Sequence, residues 1–243
     1  FQLILTNSTF VNNSCEHSNS LGHVLYTPIL YGTTIISGCN FTDNGYDKTT
    51  PNSIIDTQSQ LFIDNSVFAF TNKEHSFSRA LKVGMSCPFY IHNSFVSNHT
   101  FNGGPAGSLY YTSTDDRENE LIEVINTTFV NNSATDCTEL YISIHTQPVI
   151  QNCTFYNRYI ESDLVVLDFY IGMEILKVST SFDQLHFIDC AFGPYKVLTV
   201  LNDGEIHVMD EILLYKCEFI SNENCEFASL KDPKLTIVDS LFE

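Results

Sequence analysis

Acid–base chemistry on a sugar polymer needs two carboxylates held on one face. The sequence gathers acids in four places: Asp163 with Asp168, Asp203 with Glu205, Asp210 with Glu211, and Asp115-Asp116-Arg117-Glu118. A basic clamp for a polyanion is not evident, since the only arginines are Arg79, Arg117 and Arg158. The eight histidines form no His-x-His or His-x-x-x-His pair, and no Cys-x-x-Cys or Cys–His spacing suits zinc. His186 reads as an outward-facing strand residue. No Gly-x-Ser-x-Gly elbow or phosphate-cradling glycine loop occurs. The acids are expected to be solvated surface groups, with no catalytic, cofactor-binding or metal-ligating residue assigned. Calcium is the one cation the acidic field could attract, although no acidic loop has its ligand spacing.

Two other residue types carry covalent chemistry. Acceptor triplets for N-glycosylation, Asn-x-Ser/Thr, begin at Asn7, Asn12, Asn40, Asn98, Asn126, Asn131 and Asn152. Asn40 and Asn98 are expected to point to solvent, which makes them the firmest sites. Asn7, Asn126 and Asn152 fall where a backbone bend is expected, and there an inward-stacked asparagine ladder is an equal alternative. Of the eight cysteines, Cys39, Cys153, Cys190 and Cys217 each lie two residues before a recurrent Phe. Ser8, Ser66, Thr127 and Ser240 fill the same slot elsewhere, so it calls for a small side chain, and buried inert thiols are expected. Cys15, Cys87, Cys137 and Cys225 fall outside that slot, towards turns, and are the disulfide candidates, with a local Cys217–Cys225 pair as one option.

The elements that must position these groups follow from a repeat. Leu3-Ile-Leu-Thr-Asn-Ser-Thr-Phe10 returns as Ile35-Ile-Ser-Gly-Cys-Asn-Phe41, Leu61-Phe-Ile-Asp-Asn-Ser-Val-Phe68 and Ile122-Glu-Val-Ile-Asn-Thr-Thr-Phe129. Anchoring Phe residues sit at 10, 41, 68, 95, 129, 155, 192, 219 and 242. Apolar residues alternate at period two before each anchor, the mark of a half-buried strand. A bend-tolerant residue stands three before it, and a second apolar strand follows between anchors, as in Ala80-Leu-Lys-Val and Val197-Leu-Thr-Val. One such unit cannot bury its own apolar face; stacked units can. The reading is all-β: a parallel β-helix solenoid of about nine rungs, about 40 Å long at the ordinary strand spacing. A β-sandwich is the rival, but its strands have no reason to repeat one motif.

The tetrapeptide Phe-x-x-Asn occurs at Phe10–Asn13, Phe41–Asn44, Phe95–Asn98, Phe129–Asn132 and Phe219–Asn222. It resembles the repeats of polymorphic outer-membrane proteins and related right-handed β-helix surface proteins, within the pectate-lyase-like group of folds. Gly103-Gly-Pro-Ala-Gly-Ser-Leu-Tyr-Tyr is loosely similar to their Gly-Gly-Ala-Ile partner motif. The resemblance covers the whole chain at the level of fold and implies a right-handed winding. It also implies an adhesive or structural role at a cell surface, while wider relatives of the fold degrade pectin.

Composition narrows the function. The 243 residues carry 29 acids against 11 bases, net −18, denser in the second half. No basic face exists for nucleic acid, and an acidic polymer or anionic membrane would be repelled. No apolar run reaches the length of a membrane helix; Leu164 to Val178 is broken by Asp168 and Glu174. The start, Phe1-Gln-Leu-Ile-Leu, is neither an initiator Met nor a signal peptide, and both ends lie in the same phase of the repeat. The expectation is one β-helix domain over 1–243, a segment of a longer array or a subunit that stacks on itself. Its expected role is that of an extracellular, N-glycosylated structural or adhesive rod. Partners would be its own ends, other matrix or surface proteins, or glycans. A polysaccharide lyase or hydrolase is the alternative. Long intervals at 96–128 and 156–191 place any binding loop near Asp115–Glu120 or Tyr156–Asp163.

Overall fold

The structure, a computed structural model, describes residues 1–13, 22–28, 32–45, 53–71, 78–84, 87–101, 107–112, 121–134, 137–143 and 148–156. It also describes the later strands 165–171, 184–188, 191–192, 196–202, 211–215, 218–219 and 228–230, and residues 234–242.

Three strands are made in succession and then made again, each one place along its sheet. The first sheet runs Gln2–Thr6, Thr33–Ser37, Gln60–Asp64, Phe89–His92, Ile122–Ile125 and Pro148–Gln151, and continues through Gln184–Ile188, Glu211–Tyr215 and Lys234–Val238. The second begins with Thr9–Val11, Asn40–Thr42, Val67–Ala69, Phe95–Ser97, Thr128–Val130 and Thr154–Tyr156. The third begins with Gly22–Thr27, Ser53–Thr57, Arg79–Gly84, Leu109–Thr112 and Cys137–Ser143. Neighbours pair in parallel, for example Ile4 with Ile35 and Ile35 with Phe62. This is an all-β parallel β-solenoid; a sandwich, with its antiparallel hairpins, does not describe it. The solenoid shows about three turns rather than the nine expected, and later strands pair onto the same three ladders.

The period-two pattern puts alternate side chains inside the coil. Phe41, Phe68, Phe129 and Phe155 are buried, and their rings pile along the axis. Phe10 lies 4.8 Å from Phe41, Phe41 lies 4.7 Å from Phe68, and Phe129 lies 5.1 Å from Phe155, each pair stacked with ring planes nearly parallel. Such offset stacks add to the burial of the rings themselves.

Phe95 is a correction. Register pairs Val96, not Phe95, with Phe68 and Phe129. Val96 is buried and Phe95 faces solvent, 39% exposed. Asn93 occupies the bend in this rung, so the interior position falls three residues later, at Val96.

The bend between first and second sheets is made by Asn7, Gly38, Asn65, Asn93, Asn126, Asn152 and Asp239, all at positive φ. Asn and Gly reach this left-handed region at least strain. The next residue is the small slot seen in the sequence. Its hydroxyl donates back to the carbonyl two residues earlier: Ser66 to Asp64 at 2.9 Å, Ser94 to His92 at 2.7 Å, Thr127 to Ile125 at 2.9 Å. The same oxygen accepts a backbone N–H from the neighbouring rung, Cys39 N to Ser66 Oγ at 3.2 Å and Ser66 N to Ser94 Oγ at 3.2 Å. Cys39 and Cys153 keep only the weaker thiol version of this contact. The slot therefore selects a donor–acceptor as well as a small volume.

Where the second sheet ends, the Asn of Phe-x-x-Asn turns inward. Asn44 Oδ1 accepts the backbone N–H of Asn13 at 3.0 Å, and its Nδ2 donates to the carbonyl of Phe10 at 2.9 Å. Asn132 repeats this with the N–H of His99 and the carbonyl of Val96. Both Asn side chains are buried.

Candidate functional site

The first sheet has a solvent side, and its register lines up one residue per rung: Ile4, Ile35, Phe62, Tyr90, Glu123 and Val149; the backbone of His186 pairs with Val149. Two residues further on, Ser37, Asp64 and His92 form the adjacent column. Strand alternation alone sends these outward, because Ile36, Ile63, Ile91 and Val124 between them are buried.

Phe62 and Tyr90 stack face to face at 4.5 Å, and the His92 ring meets Tyr90 edge-on at 6.3 Å. His92 Nε2 lies 3.1 Å from Glu123 Oε2. Asp64 Oδ1 accepts Asn93 Nδ2 at 2.7 Å, and Asn93 Oδ1 accepts Asn126 Nδ2 at 3.1 Å. Partial burial, and secondarily the Glu123 carboxylate, raises the Tyr90 phenol above its usual range, so it stays a neutral hydroxyl at neutral pH. Phe62, Asp64, Tyr90, His92 and Glu123, with Ile35, Ile36, Ser37 and Ile63, line an open hollow of about 410 Å³. It offers a flat apolar floor rimmed by carboxylates, an imidazole and a phenol. Among the described residues no three His, Cys, Asp or Glu side chains converge as a metal site would require. The one acid–base pair in the hollow is His92 with Glu123.

None of this was singled out from the sequence. Phe62 and Tyr90 stand in the repeat as unremarked strand residues, and only register brings them together with Glu123. The signal was present: within Leu61-Phe-Ile-Asp and Tyr90-Ile-His, the aromatic and the acid or imidazole fall in the outward phase.

The expected site residues are placed as follows. Asn7, Asn12, Asn40, Asn126 and Asn152 are exposed, while Asn98 and Asn131 are half-buried. The expectation that Asn98 points to solvent is corrected, because its Nδ2 donates to the Phe70 carbonyl at 2.8 Å. The slip of one residue at Phe95 puts Asn98 at a positive-φ turn rather than on a strand face. The inward ladder offered for Asn7, Asn126 and Asn152 is also corrected: these side chains are exposed, and the links Asn126–Asn93–Asp64 run over the outer surface.

Cys87, a disulfide candidate, is a buried thiol in no disulfide with a described residue, and its Sγ donates to the Gln58 carbonyl at 3.2 Å. Cys39 and Cys153 are also buried, and no disulfide joins described residues. Cys137 opens a strand whose backbone pairs with Val165. Cys15, Cys190, Cys217 and Cys225 lie outside the described residues, as do Asp163, Asp203, Glu205, Asp210 and the loop 115–120. Asp168 lies on a strand, paired through its backbone with Tyr141 and Thr199. No helix among the described residues is long and apolar enough to cross a membrane.

Compared with known protein families, with curated proteins and with solved structures, the chain shows no match. The class is therefore defined by fold and face: a parallel β-solenoid with a ring-lined hollow on the outside of its first sheet.

Proposed function

We propose that the chain is an extracellular structural and adhesive β-solenoid that binds a glycan along the outer face of its first sheet. The observation that carries this reading is the Phe62–Tyr90 stack, left open to solvent on a rigid ladder. Flat rings present an apolar surface with no rotamer change on binding. Asp64, Glu123 and the neutral Tyr90 hydroxyl stand at its rim as partners for sugar hydroxyls. A hollow of about 410 Å³ is of the size that holds a small ligand. The flanking carboxylates and the net charge of −18 disfavour uronate polymers, so the ligand is a neutral or amine-bearing glycan.

The finer architecture belongs to the same proposal. One solenoid domain over 1–243, wound right-handed, would make this a rod of the Phe-x-x-Asn surface-protein kind. Binding to arrayed neutral and amine-bearing polysaccharides tests the function. Tyr90→Ala should lose at least tenfold in affinity while leaving the melting temperature nearly unchanged. Equal binding by the variant would remove the proposal.

The His92–Glu123 pair favours one second reading, a polysaccharide-active enzyme with Glu123 as proton donor or acceptor. Release of reducing ends by the wild type, abolished in Glu123→Gln, would move that reading to the front.

A further inference from the structure

On the second sheet the outward positions in register are Thr9, Asn40, Val67, Phe95 and Thr128. Val67 is 36% exposed and Phe95 39%, so two large apolar side chains stand next to each other on the surface with a sequon asparagine directly beside them. Asn40 is exposed at the start of a strand. Its Oδ1 accepts the hydroxyl of Thr42, the third residue of its own acceptor triplet, at 2.6 Å. Its Nδ2 makes no hydrogen bond among the described residues. Three of the other sequons differ. Asn98 Nδ2 is engaged by the Phe70 carbonyl, and Asn126 Nδ2 by Asn93. The Asn7 side chain lies against Gly38, and its oxygen is where a Cβ on Gly38 would fall.

We infer that Asn40 carries an N-linked glycan and that the first sugars of that glycan lie along the second sheet over Val67 and Phe95. In the covalent step Asn40 Nδ2 attacks the anomeric carbon of an oligosaccharide diphosphate donor. The new bond is C–N, the bond broken is from that carbon to the phosphate oxygen, and the amide nitrogen gives up one proton. Rungs stand about 4.8 Å apart, so Phe95 is about 10 Å from Asn40, a span for the first two rings of the glycan. The apolar C–H face and acetyl methyl of N-acetylglucosamine match an aliphatic and an aromatic surface. Only one direction along the sheet offers this surface, since Thr9 lies on the other side of Asn40. The sugar would convert an exposed apolar pair, an aggregation liability on a bare β surface, into a covered one.

The inference rests on the extracellular reading above, and one experiment separates the two. The native protein is digested and its Asn-x-Ser/Thr peptides are mapped by mass spectrometry, with enzymatic removal of glycans marking occupied sites as Asp. The expected result is a glycan on Asn40 and none on Asn98. Binding of an apolar dye to the intact protein should then rise on deglycosylation, and Phe95→Ser should abolish the rise. Glycans on other sequons with Asn40 bare would overturn this inference and leave the extracellular reading standing. No glycan on any sequon would overturn both. An occupied Asn40 with unchanged dye binding would overturn the covering of Phe95.

Discussion

The backbone N–H of His99 donates to Oδ1 of Asn132 at 2.9 Å, across one rung of the solenoid. The bond from Asn13 to Asn44 is its counterpart three rungs earlier, and each Asn also donates to a carbonyl in that neighbouring rung. The last residue of Phe-x-x-Asn is thus a clamp. It satisfies one N–H and one C=O where the second-sheet ladder ends and the chain turns into its loop. A buried backbone group left unpaired there would be destabilising.

Removal of the clamp gives the first prediction. Asn132→Ala leaves the His99 N–H and the Val96 carbonyl unpaired in a buried place, and Asn44→Ala does the same to Asn13 and Phe10. Each should lower stability by ~1–3 kcal/mol, read from urea unfolding midpoints. Losses below 0.5 kcal/mol for both buried asparagines would mean that solvent, not the side chain, satisfies these groups.

His99 occupies the same column as those asparagines, and its behaviour with pH follows from that position. The ring is fully buried, with Nδ1 3.0 Å from the Ser78 carbonyl, an edge-on contact to Phe70, and no partner for Nε2 among the described residues. Burial lowers its pKa from 6.5 to about 4, against an opposing pull from the Ser78 carbonyl. The unfolded chain therefore binds the proton more readily than the folded one, and stability falls as pH drops. The loss begins near pH 6.5 and levels off below about 4, with a full extent on the order of 3 kcal/mol. His99→Asn places there the residue that Asn132 supplies in the next rung, and the wild-type minus variant stability curve should carry this slope. A difference curve with no slope between pH 4 and 6.5 would show that His99 does not titrate with folding.

These two cases mark what could be read in advance. The anchoring Phe column and the small slot before it were legible because they depend on strand period alone, which a sequence displays directly. The slip at Phe95 was legible in principle: His92, not a bend residue, stands three before it, while Asn93 stands three before Val96. The direction of the bend asparagines was not legible. A left-handed residue interrupts the alternation on which inward and outward assignments depend, so Asn126 and Asn152 came out on the surface. The Phe62–Tyr90–Glu123 face was legible only in part: each residue falls in the outward phase of its own repeat, but bringing the three together takes the register, which the slip at Phe95 obscures.

The hydroxyl column at the bend gives a graded series. Ser66→Ala removes an acceptor for Cys39 N and a donor to the Asp64 carbonyl, and should be destabilising by ~1–2 kcal/mol. Cys39→Ser and Cys153→Ser replace a weak thiol donor by a hydroxyl of similar size, and should be neutral or slightly stabilising. Thiol labelling of the native protein should leave Cys39, Cys87 and Cys153 unmodified until it unfolds, since all three are buried. Rapid native labelling of any of them would contradict that placement.

Among the described residues Gly38 is the one glycine in a bend column otherwise filled by Asn and Asp, and its neighbour explains why. Gly38 has φ of 62°, and a Cβ built on it would stand 2.5 Å from Oδ1 of Asn7 in the adjoining rung. Gly38→Ala therefore meets two penalties, the left-handed backbone and the displaced Asn7 side chain. The backbone part is about 1–2 kcal/mol, and the contact adds to it unless Asn7 rotates away. Asn7→Gly keeps the permissive backbone at position 7, whose φ is 47°, and removes the obstructing oxygen. In the double variant Asn7→Gly/Gly38→Ala only the backbone penalty should remain. Unfolding of the two singles and the double then gives a coupling energy, which should favour the double by more than 0.5 kcal/mol. Strict additivity would mean that Asn7 moves aside freely and that Gly38 is required by its φ alone.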